Sequence, residues 1–303
     1  MKKTIVFLLL SATVAFASPL ERKEISSDAK WLLHLDIAAL RQTSMGKYIF
    51  SEVLDKKLND AKKAFPLIGV LVENVQSITA FGNETSAHER NGVLLIKTDA
   101  ESEKKLETLV QAGMSGVTPG FSAEKLDVKG ADIYKINKEI YVQALHDGHL
   151  LVSKSRPSLD KEREVLSTGA GSLAESKAFT GFGDDENGFF LVGIAQGLGE
   201  SAKAFPQAKM LQMADAGKLS LGEVGEKLNL RLALKAKDDE SCNQMQQVIQ
   251  GLIALVSLTQ SENKDLNSLI QSLKIDKGEN VLKLNVSFPV SGAIKHIAQK
   301  QKD

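Results

Sequence analysis

His146-Asp147-Gly148-His149 is the sharpest local pattern in the chain. Asp-Gly between apolar strand residues predicts a two-residue hairpin turn, which would set the two imidazoles facing each other across it. Cross-strand partners lie ~4.5 to 5.5 Å apart at Cβ, close enough for His146 and His149 to share Zn²⁺ or Cu²⁺. A metal also needs a third ligand, and only Asp147 is at hand, so a solvated hairpin tip is the ordinary alternative. His34 and Asp36 stand two apart in the first strand, opposite Leu33, Leu35 and Ile37, which places them together on a wet side. There they could act as an acid/base pair or touch a ligand. Arg231, Lys235 and Lys283 would share one face if their strands are neighbours. That patch could hold a phosphate, a carboxylate or an acidic glycan, or simply keep an exposed sheet soluble.

Other patterns are weaker. Cys242 is the single cysteine, so no intramolecular disulfide forms, and the acids Asp238, Asp239 and Glu240 oppose thiolate formation there. Asp184-Asp185-Glu186-Asn187 lacks the alternating spacing of a calcium loop. Ser-x-x-Lys recurs, as at Ser44/Lys47 and Ser158/Lys161, without the companion elements of a penicillin-binding nucleophile. Gly197-Leu198-Gly199 is too short for a nucleotide loop, and the sequence has no P-loop, no nucleophile elbow and no H-E-x-x-H. We therefore assign no catalytic residue and expect no cofactor.

The elements that must position these residues repeat. Lys63-Ala64-Phe65-Pro66 recurs as Lys203-Ala204-Phe205-Pro206; Leu95-Ile96-Lys97 finds a counterpart in Ala233-Leu234-Lys235, and Ile136-Asn137-Lys138 in Ile275-Asp276-Lys277, in the same order along the chain. Such collinearity predicts a tandem duplication. Each half reads as strand, helix, hairpin, helix and closing strands. The first strands are Trp31 to Ile37 and Phe189 to Ala195. The second helices bury Leu106, Leu109, Val110 and Gly113 in one half and Met245, Val248, Ile249 and Leu252 in the other. The order predicts an α+β fold: two ferredoxin-like, split βαβ units with antiparallel sheets and helices on one face. Leu228, Leu230, Leu232 and Leu234 alternate with polar neighbours, as do Leu282, Leu284, Val286 and Phe288, as expected of one-sided sheets.

Met1-Lys2-Lys3, the apolar stretch to Phe16 and Ala15-Phe16-Ala17 read as a secretory signal peptide over residues 1–17. The domains predicted are then a first repeat at 18–167, a connector of turn-forming composition at 168–187 and a second repeat at 188–303. No later segment is long enough to span a bilayer: Val248 to Leu258 is apolar but short. The 38 basic and 38 acidic residues balance, and the chain has only 12 Phe, 3 Tyr and 1 Trp. Nucleic acid is thus an unexpected partner.

Trp31-Leu32-Leu33-His34-Leu35-Asp36-Ile37-Ala38-Ala39-Leu40, continuing through Ser44-Met45-Gly46-Lys47, resembles the start of uncharacterised secreted proteins from planctomycete and verrucomicrobial bacteria. The resemblance implies export and a duplicated α+β body, and carries no site residues with it.

The expectation is a periplasmic or extracellular, non-enzymatic binding or envelope-associated protein for an unknown small ligand or protein partner, with a cleft between its halves. A hydrolase or metal-dependent enzyme with its site in that cleft, or a structural assembly component, are the alternatives.

Overall fold

The computed structural model describes residues 17–54, 74–84, 92–99, 110–116, 121–128, 131–145, 147–176, 188–202, 206–259 and 264–300, with the single residues 104, 108, 179 and 182. Strand β1 (Trp31–Asp36) runs into two short helices, α1 (Ile37–Gln42) and α2 (Ser44–Tyr48). The hairpin β2 (Ser77–Gly82) and β3 (Val93–Lys97) follows, then β4 (Ala123–Leu126), β5 (Ile133–Ile136), β6 (Ile140–Leu145), β7 (His149–Ser153) and helix α3 (Arg156–Thr168). The second half comprises β8 (Phe189–Gln196), α4 (Leu198–Ser201), β9 (Ala214–Val224), β10 (Lys227–Ala236), α5 (Asp239–Thr259), α6 (Lys264–Ser272), β11 (Lys274–Lys277), β12 (Val281–Pro289) and α7 (Val290–Lys300).

All twelve strands join one antiparallel sheet in the order β11-β12-β10-β9-β8-β1-β2-β3-β7-β6-β5-β4. The α+β class is as expected, but the split βαβ order is not. A split unit puts another strand between the two that a helix connects, whereas β1 pairs directly with β2, and β8 with β9. The cause is local. Asp36 caps α1 by accepting from the Ala39 amide at 2.7 Å, and the next turn is tied to the entry of β2 by Ala38 N–H donating to the Gln76 carbonyl at 2.9 Å. The excursion begins and ends at the same corner, so the chain returns antiparallel beside its own first strand.

The halves meet edge to edge. β1 pairs with β8 from Trp31↔Ala195 to Leu35↔Leu191, which makes the sheet continuous across the expected seam. Helices cover both faces rather than one. On one face α3 supplies Leu159 to a core with Leu32, Phe81, Leu95, Leu151 and Val192. Ser155 caps its start, Pro157 sits in its first turn, and Gly169 at φ +73° ends it. On the other face Val110 packs with Ile37, Val75, Ile96 and Leu150. In the second half α5 packs Cys242, Met245 and Ile249 against Leu234 and Leu282 on that same other face. Val248 and Leu252, expected in this stripe, are exposed instead, because the sheet-facing positions run 242, 245, 249. The expected first-half partners Leu106 and Leu109 lie outside the described residues. The presumed connector is partly core: Leu173, Phe179 and Phe182 are buried with the first cluster.

Candidate functional site

Two rows of residues, read strand to strand, define how one face of the sheet changes character. The first runs Leu151, Leu95, Thr79, His34, Val192, Ser220, Arg231, Asn285, Lys274; the second runs Ser153, Val93, Phe81, Leu32, Ile194, Lys218, Ala233, Lys283, Asp276. Side chains along such a row project to the same side. The face is therefore apolar under the first half, passes through buried polar groups at the seam, and becomes cationic under the second. Under the first half it is sealed by α3 and by the segment around Ile25 and Ala29. Helix α7, which follows the last strand as α3 follows β7, packs Val290, Ile294 and Ile297 on the opposite side with Leu228 and Phe288. The second half's polar face is left without that lid.

A cavity of about 520 Å³ opens there, and its lining includes Lys218, Arg231, Lys274, Lys283, Asn229 and Asn285. Ser220 and Ser287 add hydroxyls, and Phe182 from the connector closes one side. Arg231 and Lys283 sit diagonally on adjacent strands, ~7 to 8 Å apart by sheet geometry. The Arg231 guanidinium stacks on the Phe189 ring at 4.7 Å from its centroid, which orients its planar fork. Lys218 is only 5% exposed. Burying an ammonium is costly unless an anion or hydrogen-bond acceptors meet it. Asp276 stands opposite Lys283 and tempers the local charge. Such a fork with flanking ammonium and amide donors can hold a small carboxylate or phosphate.

Arg231 and Lys283 are thus brought together as expected, whereas Lys235 lies further along β10, opposite Ala216 and Val281, outside the cavity. Lys218 and Lys274 were missed. The alternation Ala216, Lys218, Ser220 against Leu219 and Leu221 is the signal that could have found Lys218.

His34 and Asp36 are not on a wet face: each is 2% exposed, while Leu33 beside them is 47% exposed. The face they occupy is the one sealed in the first half, so the polar residues are buried and the leucine is not. His34 Nδ1 meets Thr79 Oγ1 at 2.8 Å and Nε2 meets the Ser18 carbonyl at 3.0 Å. Burial takes its pKa down to about 4. Asp36 accepts from the Ala39 and Ser18 amides, at 2.7 and 2.8 Å, and burial raises its pKa. Both are committed to structure.

His146 of the expected hairpin pair lies outside the described residues. β6 and β7 pair Leu145 with His149. His149 has Nδ1 2.8 Å from Asp147 Oδ1 and Nε2 3.6 Å from Glu24 Oε1, and these carboxylates, Glu24 first, raise its pKa. Among the described residues no group of three or more His, Cys, Asp or Glu is placed to hold a metal. Cys242, on α5, is buried against the sheet, and burial raises its thiol pKa.

A second cavity, about 640 Å³, lies between α3, β6 and the β4–β5 connection, lined by Val128, Leu145 and Leu166 with Asp132, Asp147 and Arg163. Its charges are of mixed sign.

No protein-family model matches the chain, and no curated protein matches it. Among solved structures, crystal form III of the spirochete protein TP0453 aligns over 94% of this chain and 99% of its own, at 12% identity and a TM-score of 0.52. Crystal form IV of the same protein aligns over 94% and 98%, at 12% identity and a TM-score of 0.49. At this identity the likeness shows the fold alone: a mixed helix and strand chain with a large antiparallel sheet.

Proposed function

We propose that the chain is an exported, non-enzymatic binding protein, built by tandem duplication, that holds a small anionic ligand on the uncovered sheet face of its second half. The observation that carries this reading is the convergence of Lys218, Arg231, Lys274 and Lys283, with Asn229 and Asn285, in one cavity of about 520 Å³. The leader-like residues 1–17 support export. Strand order supports duplication: outward from the central pair, β1-β2-β3-β7-β6 matches β8-β9-β10-β12-β11, each series ending in a helix, with β4 and β5 added to the first. On this reading the first copy closed the equivalent face, apolar there, with α3, while the second, with α7 on the other side, kept its polar face for a ligand.

Binding is favoured over hydrolysis because the acid/base candidates His34 and Asp36 are spent on buried contacts and line neither large cavity. With a neutral overall charge, attraction would be local and weakened by salt. The test is calorimetric titration of the purified protein with inorganic phosphate and with citrate at low ionic strength. One of these binds the wild type, and Arg231→Gln with Lys283→Gln weakens it by about tenfold or more. Absence of binding by both probes, or equal affinity in the double variant, would overturn the reading.

A structural assembly role is the second reading, favoured by the exposed stripe Val248, Leu252, Leu255 and Leu258 along α5. It predicts concentration-dependent self-association, or capture of an apolar partner, that Leu252→Lys and Leu255→Lys abolish.

A further inference from the structure

The residue that follows the leader-like segment is held by all three of its polar groups. Ser18 is 8% exposed, whereas Ala17 before it is exposed. Its N–H donates to Asp36 Oδ2 at 2.8 Å, its carbonyl meets His34 Nε2 at 3.0 Å, and its hydroxyl shares a hydrogen bond with Ser77 Oγ at 3.0 Å. Three side chains from two adjacent strands thus converge on one residue at a chain position that needs no such anchoring if the polypeptide simply passes through. Asp36 is buried, and the influences on its ionisation are burial and the amides of Ala39, Ser18 and Ala38, with no cation among them. A buried carboxylate without an opposite charge is a costly arrangement. Nearby titratable groups do not relieve it: burial holds His34 neutral, and the Lys97 ammonium is engaged by Glu21 at 2.9 Å and Glu24 at 2.6 Å.

We propose that the cradle of Asp36, His34 and Ser77 is a docking site for the α-ammonium of Ser18, created when the bond between Ala17 and Ser18 is cleaved. The inference rests on the export reading and extends it. In the step, a leader peptidase adds water across that amide: the C–N bond breaks, Ala17 keeps the carboxylate, and the Ser18 amine takes a proton. The N–H that points at Asp36 Oδ2 becomes N⁺–H in the same position, and a neutral hydrogen bond becomes a charge-assisted one. Cleavage would therefore supply the missing counter-charge, and the processed chain would hold its fold more tightly than the precursor.

The experiment uses the full chain, expressed with its own leader in a bacterial export host. Intact mass and N-terminal sequencing of the purified protein are expected to show a chain starting at Ser18. The α-amine is then labelled with trace acetic anhydride near neutral pH. Pairing with Asp36 raises the amine pKa by a unit or more, so labelling should be at least about tenfold slower than in the urea-unfolded chain. Asp36→Asn should restore the fast rate; if that variant does not fold, the unfolded chain remains the comparator. A mature chain beginning at another residue overturns both the cleavage position and the docking site. A chain beginning at Ser18 that labels at the unfolded rate overturns the docking site alone and leaves the export reading standing.

Discussion

Glu162 offers the most direct check on how the closed face is built. It lies on α3, is 1% exposed, and accepts from the Ser26 amide at 3.2 Å through Oε2, while Oε1 has no partner among the described residues. Burial, with the Asp28 charge adding to it against the Ser26 bond, raises its pKa from an ordinary 4.5 to about 8. The folded state thus holds a proton that the unfolded chain releases near pH 4.5. This contribution to stability is complete below about pH 4.5 and is lost as pH rises to about 8. A displacement of that size corresponds to about 3 to 5 kcal/mol. Glu162→Gln keeps the shape and an acceptor for the Ser26 amide but cannot ionise. Urea unfolding followed by circular dichroism from pH 5 to 9 should show the wild type weakening by roughly that amount relative to the variant, with the variant the more stable of the two at pH 8. Parallel pH profiles, or a variant less stable at pH 8, would refute the claim that a buried, proton-bearing carboxyl supports α3 on the sheet.

Three further outcomes follow from the same structure. His34, taken down to about 4 by burial, contributes stability that is present above pH 6.5 and lost as pH falls toward 4; His34→Gln should shrink the urea-measured stability gap between pH 7 and pH 4 by about 2 to 3 kcal/mol. Gly148 turns the β6–β7 hairpin at φ +86°, and a Cβ there would lie 2.6 Å from the Thr98 carbonyl oxygen. Gly148→Ala should cost about 1 to 3 kcal/mol and loosen amide protection at Thr98, whose N–H donates to the Gly148 carbonyl. Leu159 is fully buried where α3 meets the sheet; Leu159→Ala should cost about 2 to 5 kcal/mol, read as a fall in the urea midpoint at unchanged slope.

Strand positions were legible in the sequence wherever alternation was clean. The expected first strands coincide with β1 and β8 to within a residue, and Leu228 to Ala236 with β10. β4 was not foreseen, because Ala123–Leu126 is short, partly exposed and carries no alternating apolar signal. The site was half legible. Arg231 and Lys283 could be placed on one face from their parity, but Lys235 shares that parity and still lies outside the cavity, because parity gives a side and not a distance along the strand.

Residue order by itself determined the α+β class, the strands with clean alternation and which of their residues share a side, since these follow from periodicity. Only the tertiary structure decided which side is buried. His34 and Asp36 are interior because Ser18 contacts both and α3 closes the face they share with Leu32, while Arg231 and Lys283 line an opening because α7 packs on the reverse face. Both outcomes turn on long-range packing between elements far apart in sequence, and no local pattern encodes on which side of a sheet a distant helix comes to rest.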